Sequence, residues 1–318
     1  MKNRKSVMFI SALLILIFHL WVNVTNAEAE RFIRAISYIG VDMFFFLSAY
    51  SLGKRDVSDY KEFILKRFNS VYLKFIIFAV IAFVYSGWKI NKLLSVVAGY
   101  ELFVKGGGAF LWFLPSIMLF YILVPFLQKA DNKNRKLTIA LSLLIWFVVG
   151  ILVTSLTKYK AMFIFFNRIP ILLLGFYASR IMNEKQIILT DSKRIVYGIA
   201  SLAVGMVCLY LFGYKNRLIT PIYDLFYVTA IPASVGLILL SELIPEKKLI
   251  SVLGSATLEI YAVQMIFGFN IANLVIKTIT RSSALHILLV NILVFTSVSL
   301  IALGFSKIFN LGLKKNKL

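Results

Sequence analysis

Ten long apolar stretches run through this chain, at residues 6–24, 36–53, 69–88, 110–128, 138–156, 162–180, 195–213, 222–241, 253–276 and 285–306, separated by short polar segments. Most come near the roughly 20 residues that a helix needs to cross about 30 Å of hydrocarbon. Their apolar residues are continuous rather than alternating, which predicts helices and not barrel strands. The pattern predicts an all-α fold: a polytopic integral membrane helical bundle of about ten transmembrane helices. There is no Gly/Ser linker, low-complexity tract or clear repeat, so residues 1–318 read as one domain. The first stretch follows Lys2, Arg4 and Lys5 and precedes Ala27, as a secretory signal would. Its apolar core is too long for a typical signal, and it is read as a span. Lys89–Phe103 is short and amphipathic and is expected to lie on the outer surface or dip partway into the membrane.

Composition agrees: 60% of the 318 residues are hydrophobic and the mean hydropathy is +0.86, above the level of soluble domains. The net charge of +21 would suit nucleic acid, but its distribution argues against that. With the N-terminus in the cytoplasm, the inner segments hold 22 Lys and Arg and the outer segments 11, with Lys74 and Arg168 left inside spans. A two-to-one bias over short loops is the positive-inside pattern. It predicts a multi-pass cell-membrane protein with both termini cytoplasmic, whose basic partner is the lipid bilayer. Cys208 is the single cysteine, so it forms no intrachain disulfide and offers no metal cluster.

Ionisable residues in hydrocarbon cost at least about 2.5–3.5 kcal/mol each on insertion scales, so each needs a reason. His19 lies about 12 residues, or roughly 18 Å, into the first span. Imidazole moves protons near neutral pH, but an interhelical hydrogen bond is an equally good use for it. Asp42, within Gly40–Tyr50, could orient His19 as an acid orients the imidazole of a hydrolase triad, or could cap a helix or pair with an outer base. Arg168 precedes Pro170, whose missing N–H could expose polar backbone to a cavity. Its guanidinium could hold a carboxylate or phosphate, or reach the outer interface. Lys66, Arg67 and Lys74 form a basic inner mouth to the third span that could receive phosphates or simply anchor the helix. Asp224 and Glu259 read as functional groups or ion-pair partners, and His286 as an interfacial residue. Gly106-Gly107-Gly108 lacks the Lys-Ser/Thr that a phosphate loop requires and is expected to turn the chain into the fourth span. Ser48 and Ser51 are weak candidates for a nucleophile.

Several blocks, in order, resemble the membrane acyltransferase-3 family. They are Ser11–His19, Gly40–Leu52 (GVDMFFFLSAYSL, near the family pattern GVDxFFxLSGF), Phe63–Phe75 (FILKRFNSVYLKF), Leu111–Pro125 (LWFLPSIMLFYILVP), Arg168–Tyr177 (RIPILLLGFY) and Leu253–Gln264 (LGSATLEIYAVQ). The resemblance runs from about residue 4 to 306. It implies an O-acyltransferase acting on a cell-envelope or exported polysaccharide, or on its lipid-linked sugar precursor. The acyl donor it implies is acyl-CoA, chiefly acetyl-CoA used as a substrate, with no bound cofactor. His19 would then be the general base, Asp42 its orienting acid, and Arg168 the group that stabilises the thioester oxyanion or binds the acceptor. Arg67, Lys66 and Lys74 would hold the CoA phosphates. The family's arginine eleven positions before the histidine is replaced by Met8, and Arg4 and Lys5, a turn earlier, are the candidates to stand in for it. The family's glutamates after LWFL are replaced by Pro115-Ser116-Ile117. A transporter or flippase for a lipid-linked or small polar solute is the competing reading, since intramembrane charges and Pro-broken helices suit that class too.

Topology is directly testable. Cysteines introduced singly at Lys160 and Lys315, in a chain whose Cys208 is replaced by Ala, should label from outside and from inside respectively with an impermeant thiol reagent. External labelling of both would overturn the assignment.

Overall fold

The computed structural model describes residues 1–19, 27–104, 110–155, 164–214, 226–278 and 284–315, and the regular structure among them is helical, with no strand. Among the described residues, seven stretches are long and apolar enough to cross a membrane: Phe32–Gly53, Tyr60–Ser86, Phe113–Leu152, Ile164–Glu184, Asp191–Leu211, Thr257–Val275 and Leu288–Asn310. The chain is a multi-pass, all-helical membrane protein. Many apolar side chains point outward, among them Leu144, Ile145 and Phe147 and, later in the chain, Val196, Ile199 and Val204. In water this would be a large unprotected apolar surface; in a bilayer it is the lipid-facing surface.

The predicted spans 6–24 and 222–241 start with α1 (Arg4–Phe18) and include the apolar helix Thr229–Ser241, and both run into residues outside the described set. Gly106-Gly107-Gly108 and Asp224 also lie outside it. The spans predicted at 110–128 and 138–156 fall in one run, Phe113–Ser155, interrupted by a single non-helical residue, Asn134 (φ −159°, ψ 96°). The Asn134 side chain accepts from the Leu137 N–H at 3.1 Å. It is an N-cap, so two helices meet there with one residue between them.

Four further helices follow from local chemistry. α2 is Ala27–Ser37 and α3 is Ile39–Gly53. α4 (Tyr60–Arg67) starts at Asp59, whose carboxylate accepts from the Glu62 N–H at 2.9 Å, the first half of a capping box. A five-residue π-helix, Phe68–Tyr72, joins it to α5 (Leu73–Ser86). Lys89–Phe103 forms two short helices, Ile90–Val97 and Tyr100–Phe103. The Tyr72 hydroxyl donates to the Val97 carbonyl and ties that segment to the π turn.

The chain divides into two compact units. The first comprises Met1–Met43, Asp191–Lys215 and Pro232–Leu318. In it α1 packs on the helices Lys248–Ser255 and Thr257–Thr278, and the latter packs on Ala284–Lys315. One end is tied by ions: Arg194 bonds Glu242 at 3.0 Å and Asp191 at 2.9 Å, and Lys2 reaches Asp191 at 3.1 Å. Asn3 adds a bond to the Glu242 carbonyl at 2.7 Å.

The second unit comprises Phe44–Thr190 and Asn216–Ile231. Here α3 meets the helix Ile169–Glu184 backbone to backbone. A Cβ on Gly175 would sit 2.6 Å from the Phe46 carbonyl oxygen, and one on Gly53 would collide with the Phe176 carbonyl. Small residues permit such approach where water supplies no hydrophobic drive between helices. Gln128 closes the end of α3. Its amide donates to the Leu52 and Arg55 carbonyls at 2.8 and 3.0 Å and accepts from the Val57 N–H at 2.9 Å.

Arg180 and Arg135, which the charge pattern treats only as inner-loop cations, are held in a network. Arg180 bonds Asp131, Asn132 and Asp56, and Arg135 bonds Asp131 at 2.9 Å and Glu184 at 2.5 Å. Glu184 and Asp131 raise the Arg135 pKa above its ordinary value. Burial raises the Asp56 carboxyl, but its hydrogen bonds from Asn132 and Arg180 outweigh this and hold it below the usual range. Its contribution is therefore full above about pH 4 and fades as pH falls through the folded value.

The Asp131 side chain is fully buried. Asp131→Ala would leave two guanidinium groups without their shared carboxylate, which costs about 3–5 kcal/mol at a buried pair. Asp56→Ala, at a half-exposed carboxylate, should cost about 1 kcal/mol or less. Thermal unfolding followed by circular dichroism in detergent measures both, and equal midpoints for the two variants would contradict the network's ranking.

Candidate functional site

In the first unit the site forms where α1 ends. Helical geometry stops at Phe18, with His19 as the C-cap (φ −93°, ψ 37°). The rest of the predicted span, residues 20–24, lies outside the described residues. At this end of α1 the Ile15 carbonyl receives the His19 backbone N–H at 3.3 Å and also the His19 Nδ1 at 2.9 Å. A carbonyl oxygen only accepts, so Nδ1 carries the proton and Nε2 carries the lone pair of the neutral ring. His19 lies about 22 Å along α1 from Arg4 at 1.5 Å per residue.

Gln264, from the helix Thr257–Thr278, meets the same carbonyl, donating from Nε2 to the Ile15 oxygen at 3.4 Å. The Gln264 residue is completely buried, and its Oε1 accepts from no donor among the described residues. Because the carbonyl cannot donate, the amide cannot be turned the other way. Asp42 is 1% exposed in the first turn of α3, where a helix N-terminus favours negative charge. Gly40, half a turn before it, lets α3 touch α1: a Cβ there would fall 2.6 Å from the Ser11 carbonyl oxygen. His19 and Asp42 thus stand on the two helices of one crossing. Tyr38 packs on Phe18 at 5.1 Å. Glu259 is buried on the Gln264 helix. Arg4 and Lys5 are exposed at the other end of α1. His286 lies in the helix Ala284–Lys315, and its side chain is outside the described set.

In the second unit, three of the sequence blocks converge on aromatic contacts. Phe45 lies 4.8 Å from Phe113, 6.0 Å from Trp112 and 6.3 Å from Phe165. Arg168 is fully buried, its guanidinium over the Trp112 ring at 5.1 Å and its Nη1 donating to the Ile164 carbonyl at 2.6 Å. It does not reach out to an interface. Pro170 also differs from expectation: it sits in the first turn of Ile169–Glu184, with Arg168 as N-cap. A backbone N–H at this position would have no helical partner anyway, so the N–H that proline lacks is not missed and Pro170 breaks nothing. Beside Arg168, Phe165, Phe166 and Ile169 help to line an apolar cavity of about 330 Å³.

Arg67 ends α4 with its guanidinium 5.2 Å from the Phe63 ring and 5.1 Å from Tyr121. Its Nε is buried without a hydrogen-bond acceptor. Among the described residues this cation is held by rings and has no carboxylate salt-bridge partner. Lys66 beside it is exposed, and Lys74 follows the π-helix half-buried. Single-turn π-helices are frequent at functional sites.

Sequence reasoning quoted Gln264 without giving it a role. Its stretch also carries Asn270 and Asn273, so the sequence holds no signal that singles out Gln264 among them. A family model described as an acyltransferase domain matches residues 9–310. No curated protein and no solved structure matches the chain.

Gln264 generates a stability prediction. Replacing a buried amide that leaves an acceptor open by an apolar group of similar shape is near neutral or stabilising. Gln264→Leu should therefore unfold within about 1 kcal/mol of the unmodified protein. A loss above about 2 kcal/mol would mean that the amide closes a structural bond.

Proposed function

The chain belongs to the acyltransferase-3 family, and from that premise we propose an O-acyltransferase that moves acetyl from acetyl-CoA to a hydroxyl of a cell-envelope or exported polysaccharide, or of its lipid-linked precursor. In this reading the acceptor hydroxyl donates to His19 Nε2. As the oxygen attacks the thioester carbon, Nε2 takes the proton. The tetrahedral intermediate expels the CoA thiolate, and the imidazolium returns the proton to sulfur. Asp42 balances the charge on the ring, and Arg168 stabilises the oxyanion or holds the acceptor. Arg67, Lys66 and Lys74 take the CoA phosphates. Both termini are cytoplasmic, on the side of the acyl-CoA pool. The apolar cavity beside Arg168 suits the hydrocarbon of a lipid-linked acceptor.

The observation that carries this reading is the bond from His19 Nδ1 to the Ile15 carbonyl. It fixes the tautomer, so Nε2 is the basic nitrogen, as a carbonyl or carboxylate partner does for catalytic imidazoles generally.

Glutamine can donate to the Ile15 carbonyl but cannot take up a proton. His19→Gln should insert and fold normally and lose about 10²–10⁴ in acetyl transfer, the usual contribution of a general base. Transfer per folded molecule, measured with radiolabelled acetyl-CoA and the surface glycan, decides. Activity near that of the unmodified protein would end the assignment of His19 as base.

A further inference from the structure

A second cavity lies in the first unit, away from His19. It has a volume of about 430 Å³ and is lined by Lys5, Ser251, Ser255, Ser306, Lys307 and Asn310, with Val252 and Leu303. No carboxylate is among its lining residues. Neither Lys5 nor Lys307 has an acidic side-chain partner among the described residues. Lys5 is nonetheless held in place. Its Nζ donates to Ser251 Oγ at 2.9 Å and its backbone N–H to Glu246 Oε1 at 2.7 Å. Its backbone lies against Gly254, where any Cβ would collide with the Lys5 carbonyl.

Two uncompensated ammonium groups in one cavity repel each other and lower the local potential energy of an anion. The Ser251 and Ser306 hydroxyls and the Asn310 amide add hydrogen-bond donors suited to a tetrahedral oxyanion, while Ser255 Oγ donates to the Ser251 carbonyl at 2.7 Å. We infer that this cavity is a phosphate-binding site and that its ligand is the head group of an anionic phospholipid. The surroundings favour a phosphate that carries alkyl chains. Val252, on the cavity wall, is 44% exposed, and Leu249, three residues earlier on the same helix face, is 68% exposed. Lys307 and Asn310 close the apolar stretch Leu288–Asn310, which is where a span meets the head groups. Phosphates of the acyl donor share this chemistry, so the test separates the two sources. The inference does not require the transfer reaction, because its readout is binding.

The purified full chain, stripped of lipid in neutral detergent, is titrated with phosphatidylglycerol, with phosphatidylcholine as control, and separately with 3′,5′-ADP. The rise in unfolding temperature reports occupancy. Phosphatidylglycerol should stabilise the protein at lower concentration than phosphatidylcholine. Lys307→Gln, at an exposed side chain that folding does not need, should raise the half-saturating concentration about tenfold, and Lys5→Gln/Lys307→Gln about a hundredfold, as expected for loss of charge-assisted bonds. Stabilisation by 3′,5′-ADP that the same variants weaken would keep the phosphate site and assign it to a free phosphate ligand. Equal response to both lipids, or the double variant titrating like the unmodified chain with both probes, would overturn the inference. Intact binding in a protein that transfers no acetyl would leave this site standing and remove the catalytic reading alone.

Discussion

Hydrocarbon offers no hydrogen-bond partner, and this one constraint explains most of how the chain is built. Every polar group carried into it must be closed by the protein or have another use. Closure is thorough where it is structural. Asp131 takes bonds from two guanidinium groups. Arg194 is shared between Asp191 and Glu242. Gln128 uses donor and acceptor together to finish α3. Against that background the open groups gain meaning. Among the described residues, Gln264 Oε1 and Arg67 Nε are buried and unclosed, as are hydroxyls such as those of Ser234 and Ser299, but Gln264 and Arg67 stand beside a residue or charge that the acyl-transfer reading requires.

The sequence made the helical architecture legible because its signal is one-dimensional: about twenty apolar residues, then charge. The convergence of blocks was partly legible too. Phe45, Trp112 and Arg168 each sit in a recognisable block, although nothing in the spacing says that their rings and guanidinium touch. Three features were hidden for a physical reason. The Asp131–Arg180 pair joins residues 49 apart, and each partner alone reads as an ordinary loop charge. The Asn134 cap is a single backbone rotation within an otherwise helical run. The Gln264–Ile15 bond spans 249 positions, so the amide's link to His19 exists only in the folded chain. Pro170 was misread because a proline's effect depends on its position in the helix, and that position was set by where Arg168 begins the turn.

The Ile15 carbonyl shows how a site can be both ordered and ready to change. A backbone carbonyl has two lone pairs, yet three donors converge on this one: the His19 ring at 2.9 Å, the His19 backbone at 3.3 Å and the Gln264 amide at 3.4 Å. They cannot all bond well together. The ring holds the shortest contact, so the tautomer of His19 is the best determined of the three. The Gln264 contact is the longest and has the least to lose. A ligand hydroxyl or amide N–H that donates to Gln264 Oε1 would satisfy a buried acceptor while stretching only that weak bond. Release of Gln264 would in turn strengthen the hold of Ile15 on the imidazole, since fewer donors would compete for its oxygen. In the acyl-transfer reading, binding at the amide and the tautomer of His19 would be coupled through one oxygen atom with a fixed sign: occupancy at Gln264 would favour the proton on Nδ1 and the lone pair on Nε2.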